Sequence, residues 1–188
     1  MSITLQLGSA IAGPLEDAVA AHEREDYLTA ARMLLPLAEQ GDPIAEALLG
    51  TMYDQGQGVP VDVRQATKWI RRSAEHGHAS VEMALGVMYT LGRGVPLDNV
   101  QAAKWLRKAA DQGAAPAQNY LGLLYEGGQG VPQDYVLAYM WFNLASAQST
   151  YTAASDDARK SRDELRAKMT RAQVAEAQKL ARNWKPAK

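Results

Sequence analysis

The chain of 188 residues contains no cysteine and only three histidines, and its formal net charge is −1. Nowhere does it hold the run of about 18 apolar residues that a membrane-spanning helix needs. Each absence removes a class of function. Without thiols there can be no disulfide, thiolate nucleophile or zinc–thiolate site, and cysteine usage leaves the redox compartment open. A charge near zero supplies no overall field to attract nucleic acid or an anionic membrane. No phosphate-cradling loop, nucleophile elbow or metal-spaced cluster occurs either. No catalytic residue, cofactor, metal, nucleic-acid partner or membrane insertion is therefore expected.

What the chain does have is a period. Gly50, Gly86 and Gly122 stand 36 residues apart, as do Trp69, Trp105 and Trp141, then Pro60, Pro96 and Pro132, and Asp62, Asp98 and Asp134. Gly41, Gly77 and Gly113 keep the same step. A fixed period of this size means one supersecondary unit stacked on copies of itself, each packing only on its neighbours. Such a chain presents a long surface and rarely carries chemistry.

The middle copy shows the unit. Val81, Leu85, Met88 and Tyr89 fall at helical spacing on one face. Gly92-Arg93-Gly94-Val95-Pro96 breaks that helix, because glycine accepts positive φ and proline cannot extend the hydrogen-bond ladder. Asp98 with Gln101, like Asp62 with Gln65, reads as a capping box opening a second helix. That helix carries Ala102, Trp105, Leu106 and Ala109 on one face and closes at Gly113, suited to a left-handed C′ position. The spacing predicts antiparallel pairs at 43–54 with 63–75, 79–90 with 99–111, and 115–126 with 135–147. A glycine inside a helix costs about 1 kcal/mol relative to alanine, so its recurrence at 50, 86 and 122 predicts close approach of the partner helix.

The ends depart from the period. Residues 14–41 read as a shortened opening repeat, with Ala30, Ala38 and Gly41 in register but no Gly-x-Gly-Val-Pro turn. Repeats follow at 42–77, 78–113 and 114–150, and 151–188 reads as two capping helices hiding the last apolar face. Their helices are expected at 155 to about 168 and at 171–184, the latter opened by a Thr170–Gln173 capping box. Residues 1–13 form a tail whose Ser9-Ala10-Ile11-Ala12 has the small-x-small pattern of a signal-cleavage site, though no Lys or Arg precedes it. Charge is uneven: residues 1–41 hold six acids and two bases, and residues 155–188 hold ten bases and five acids. Those runs suit solvated faces, or an end-to-end contact between molecules.

These residues carry a resemblance. Ala-x-x-x-Leu-Gly-x-(Met/Leu)-Tyr, then Gly-x-Gly-Val-Pro-x-Asp, then Ala-x-x-Trp before a closing Gly occurs three times, with Val81 in place of the first Ala and Gln148 in place of the third closing Gly. The chain thereby resembles the Sel-one-like repeat (SLR) family, a branch of the tetratricopeptide superfamily, over about residues 14–148. The resemblance implies an all-α, right-handed α-solenoid of antiparallel helix pairs that acts as a scaffold or adaptor for other proteins, often bacterial. Many bacterial members are exported, which favours a periplasmic or exported protein over a cytoplasmic one. The cysteine-rich members linked with penicillin binding or β-lactamase activity hold their repeats with disulfides, and none of those cysteines is present here.

Candidate sites follow from helical phase. Trp69, Trp105 and Trp141, with Tyr53, Tyr89 and Tyr125, could stack bases or sugars. Their phase places them with the core leucines instead. If Ala45, Leu49, Met52 and Tyr53 set the core direction, the opposite face holds Ile44, Ala47, Thr51 and Asp54. Adding 36 gives Ser80, Met83, Val87 and Thr90, and then Pro116, Asn119, Leu123 and Glu126. On the concave side of a solenoid this face suits a peptide or helix with a few apolar anchors, and Met83 adds adaptable packing. The expected partner is a protein or peptide, with the chain a monomer or weakly self-associating. His76 and His78 flank Gly77 as a surface turn without further ligands, His76 favouring the helix C-terminal dipole. The acids at 156–157 and 163–164 are neighbours that do not face each other on a helix.

Overall fold

The computed structural model describes residues 13–147 and 153–187. The cleavage-site pattern at Ser9–Ala12 and the replaced closing position Gln148 lie outside the described residues. Ten helices and no strand are found among those described: α1 (Pro14–Glu23), α2 (Tyr27–Glu39), α3 (Pro43–Gln55), α4 (Val63–Ala74), α5 (Ala79–Leu91), α6 (Asn99–Asp111), α7 (Ala115–Gly127), α8 (Tyr135–Ser146), α9 (Ala153–Arg166) and α10 (Arg171–Asn183).

Local chemistry sets the helix ends. The Asp62, Asp98 and Asp134 side chains each accept from the second and third backbone N–H groups of the helix they open. The capping boxes expected at Asp62–Gln65 and Asp98–Gln101 do not form, for a tertiary reason. The Asp62 and Asp98 backbone N–H groups donate to the Tyr53 and Tyr89 carbonyls at the end of the preceding helix, so no Gln side chain is needed there. At Thr170–Gln173 no such carbonyl takes the N–H, and the full reciprocal box forms.

Glycine then fixes the stacking. Gly50, Gly86 and Gly122 are buried, and a Cβ on each would press on Ile70, Leu106 and Phe142 of the paired helix. The Ile70, Leu106 and Phe142 side chains of the second helices thus rest directly on the backbone of the first. Gly58, Gly94 and Gly130 have φ near +70°. A Cβ on any of them would collide with backbone at the start of the preceding repeat's second helix, at Tyr27, Val63 and Asn99. The Gly-x-Gly turn is therefore the joint between repeats as well as a helix stop.

The second helix of one repeat packs on the first helix of the next, α2 on α3, α4 on α5 and α6 on α7. Trp69, Trp105, Trp141, Tyr89 and Tyr125 are buried in this packing. Arg71 and Arg107 reach across the joint to donate to the Tyr89 and Tyr125 hydroxyls. One buried cluster runs from α4 to α10, a second gathers α1–α3 with Trp69, and Tyr53 packs on both.

The C-terminal helices do not pack on each other as the helices of a repeat do. Both α9 and α10 pack on α8, and they barely touch each other. Wrapped from several sides, α8 buries five consecutive residues, Ala138, Tyr139, Met140, Trp141 and Phe142. Leu165 and Val174 are buried here and Met169 packs beside them, while Leu180 is exposed. Ala177 and Ala181 take the inward positions, because small residues let α10 lie close on α8. Trp184 then meets Trp141 edge-on at 6.3 Å, and the Ala187 N–H donates to the Asp111 carbonyl at 2.7 Å. The chain end is thereby tied back to the loop that closes α6.

Candidate interaction surface

The first helices α3, α5 and α7 contribute to a common face. On it lies a cleft of about 410 Å3 between the first and second repeats. Of the twelve positions expected from helical phase, Thr51, Asp54, Met83 and Val87 come together in this cleft. Ile44, Ser80, Pro116 and Leu123 are exposed outside it, and Ala47, Thr90, Asn119 and Glu126 are half-buried without lining it.

Two features of the expected face need correction. Met83 and Val87 do not simply point away from the core. Both are half-buried and pack against it, so they form the floor of the cleft. The end-of-helix acids are not free rim charges either. Asp54 accepts from Arg93 Nε at 2.8 Å, and Glu126 accepts from Lys168 Nζ at 2.9 Å, each reaching the turn after the helix two further along the chain. The threonines are also less polar than their names imply. The Thr51 and Thr90 hydroxyls donate to the carbonyls of Ala47 and Gly86 four residues back, which turns their hydrogen-bonding capacity into the helix.

Phase reasoning missed Ala84, Leu91, Arg93 and Tyr120, which complete the cleft. A signal was present in the repeat columns. Leu48, Ala84 and Tyr120 share one position, so the small middle residue leaves space that Tyr120 borders from the next repeat. Gln57, Arg93 and Gln129 share another, and only the middle copy is charged there. The cleft sits where the second repeat departs from its copies.

Beneath the face lies a second column that sequence reasoning did not single out. Glu46, Glu82 and Gln118 are 36 residues apart and all buried. Glu46 accepts from Arg72 Nε at 2.8 Å, and His76 Nε2 stands 3.6 Å from its other oxygen. His76 is thus more than a surface turn residue, since it faces a buried carboxylate. Glu82 accepts from Gln112 Nε2 at 2.7 Å, and Gln118 donates to the Ala110 carbonyl at 3.2 Å. Burial pushes both carboxyls above the usual range, opposed by Arg72 and His76 at Glu46 and by Lys108 at Glu82. These groups tie first helix to second. Among the described residues no cluster of three or more His, Asp or Glu could hold a metal. Among the described residues no helix is long and apolar enough to cross a membrane.

Helix pairs of 36 residues, stacked through glycine joints and carrying a shared first-helix face, define an α-helical repeat protein of the solenoid class. Comparison with known proteins refines that class. The Sel1 repeat model matches residues 43–78, 79–113 and 115–149, and the chain belongs to the Sel1 repeat family. Among solved structures it is similar to a protective antigen of uropathogenic Escherichia coli that displays an SLR fold. The identity is 34%, the TM-score 0.73, and the match covers 83% of this chain and 32% of that one. It is also similar to a Sel1 repeat protein from Oxalobacter formigenes, at 32% identity and TM-score 0.66 over 70% of this chain and 54% of that one. The chain thus spans about a third of the first structure and about half of the second. No curated protein matches. Sel1 repeats generally serve as protein–protein interaction scaffolds.

Proposed function

We propose that this protein is a non-enzymatic adaptor that holds a protein or peptide partner on the first-helix face, centred on the cleft between its first and second repeats. The observation that carries the reading is the composition of that cleft. Met83, Ala84, Val87, Met88 and Leu91 give it an apolar floor from one helix, and the Asp54–Arg93 pair marks its rim. A single bulky apolar side chain of a partner segment is the natural filling, because methionines repack around unlike shapes. The ion pair at the rim is exposed, worth less than about 1 kcal/mol in isolation, and free to exchange partners.

The test is a peptide-display screen against the whole chain, followed by affinities for the peptides recovered. Leu91→Glu and Tyr120→Ala should each weaken binding by at least about tenfold, as expected of central contacts, with the melting temperature unchanged. Full affinity in both variants would place the binding surface elsewhere. A hydrolase on the same scaffold is the competing class. Turnover of a β-lactam reporter that is lost on substituting a cleft residue would establish it over the adaptor.

A further inference from the structure

The corner between α9 and α10 holds a second cavity of about 410 Å3, lined by Arg166, Met169, Arg171, Val174, Ala175 and Gln178. It differs in kind from the cleft on the first-helix face. Neither Arg166 nor Arg171 has an ion-pair or hydrogen-bond partner for its guanidinium among the described residues. Three other basic side chains of this segment are committed, Arg159 to Asp156, Arg162 to Asp163 and Lys168 to Glu126. Lys160, Lys179, Arg182 and Lys185 make no ion pair among the described residues, and they line no part of this cavity. Two free guanidiniums therefore stand over a floor of Met169 and Val174, at the basic end of the chain. This is a receptor for an acidic segment that carries an apolar side chain.

Such a segment is present at the other end of the same molecule. The opening repeat exposes all six of its acids, among them Glu23, Glu25 and Asp26 at the α1–α2 turn. Directly after them Leu28, in the first turn of α2, is 53% exposed. The geometry points to a head-to-tail contact in which the α1–α2 turn of one copy docks into the α9–α10 corner of a second. Leu28 seats on Met169 and Val174, and the turn carboxylates meet Arg166 and Arg171. The complementarity is of charge sign and of apolar content together, at two sites of one chain. Because the two surfaces differ, the contact is heterologous and propagates from copy to copy.

Sedimentation velocity on the full chain tests this. At about 0.01 M salt the screening length is about 30 Å, against about 3 Å at about 1 M. The weight-average mass should climb with protein concentration at low salt, and the association constant should fall at least about tenfold at high salt. Arg166→Glu with Arg171→Glu should make the protein monomeric, as should Glu23→Arg with Glu25→Arg, all four positions being exposed. An equimolar mixture of the two double variants should associate again, since each supplies the end complementary to the other. A chain that stays monomeric at low salt would overturn the proposal. So would association that survives both reversals, or a mixture that stays monomeric while both variants keep wild-type helicity.

Discussion

The three repeats and the C-terminal helices solve the same packing problem by opposite means. Between residues 42 and 147 glycines make close approaches, inside the first helix or in the turn that follows it. From Val131 onward the chain has no glycine at all. There α9 and α10 are held by side chains, with Ala158, Leu165, Ala177 and Ala181 buried and Trp184 laid against Trp141. A glycine joint can be repeated without limit, because it leaves the next surface like the last one. At α8 side-chain packing takes over, and α9 and α10 cover the helix from more than one side.

The strongest way to break this contrast is to remove the closure. A chain truncated after Ala147 should uncover Trp141, Met140 and the apolar side of α8, and should aggregate instead of melting cooperatively. A soluble monomer with unchanged melting temperature, seen by light scattering and thermal denaturation, would make α9 and α10 a separate arm. Next in size is Trp141→Ala, expected to cost about 3–5 kcal/mol in urea unfolding. Trp184 should lose its environment in the same variant, readable as a change in its fluorescence. Trp105→Ala should cost less, near about 3 kcal/mol, because its ring is less deeply buried and lies under Lys108 instead of a second tryptophan. Equal losses in the two variants would mean that the closure adds nothing to the repeat packing.

Within the repeats, Gly94→Ala should cost about 3 kcal/mol, since its Cβ meets both the Val63 carbonyl and the Thr67 hydroxyl. Gly77→Ala should cost only about 1–2 kcal/mol, the penalty of its left-handed backbone, because nothing lies within 4 Å. Comparable losses from chemical denaturation would show that strain, and not the joint, sets the requirement for glycine.

The smallest effect belongs to the buried carboxylates. Burial raises Glu82 above its ordinary 4.5, so its neutral form is the one that folding favours. That stability is fully present below about pH 4.5 and is lost as pH rises through the raised folded value. Glu82→Gln copies the third repeat, where Gln118 stands. It should flatten the decline in unfolding free energy between about pH 4 and the raised value. A variant whose pH profile matches the wild type would remove Glu82 from the account.

The helices and their joints were legible because their causes are local or periodic. Asp before each second helix, Gly after the helices from α2 to α7 and the buried Gly50 column act within a few residues, or recur in register. The wrapping of α8 was not legible, since Leu180 and Ala181 are adjacent and only contact with α8 decides which turns inward. The candidate face was half legible. Helical phase found Thr51, Asp54, Met83 and Val87, but Leu91, Arg93 and Tyr120 are visible only as differences between copies. Phase also could not foresee that the Thr51 hydroxyl bonds back into its own helix, or that Asp54 reaches Arg93.

The glycine joints have a mechanical consequence. Gly58, Gly94 and Gly130 lie at the edge where first helices end, and there backbone rests on backbone. At the opposite edge Gly41 and Gly77 have open space about them. Backbone contacts have no rotamers to change, so the first edge is a stiff binding and the second is loose, as in a book held along its spine. Bending should splay the pages at the open edge and leave the spine spacing fixed. The Asp54–Arg93 rim lies beside the spine, so a segment held in the proposed cleft would be gauged there to a set width, while its far end would meet a surface that can fan open to receive it.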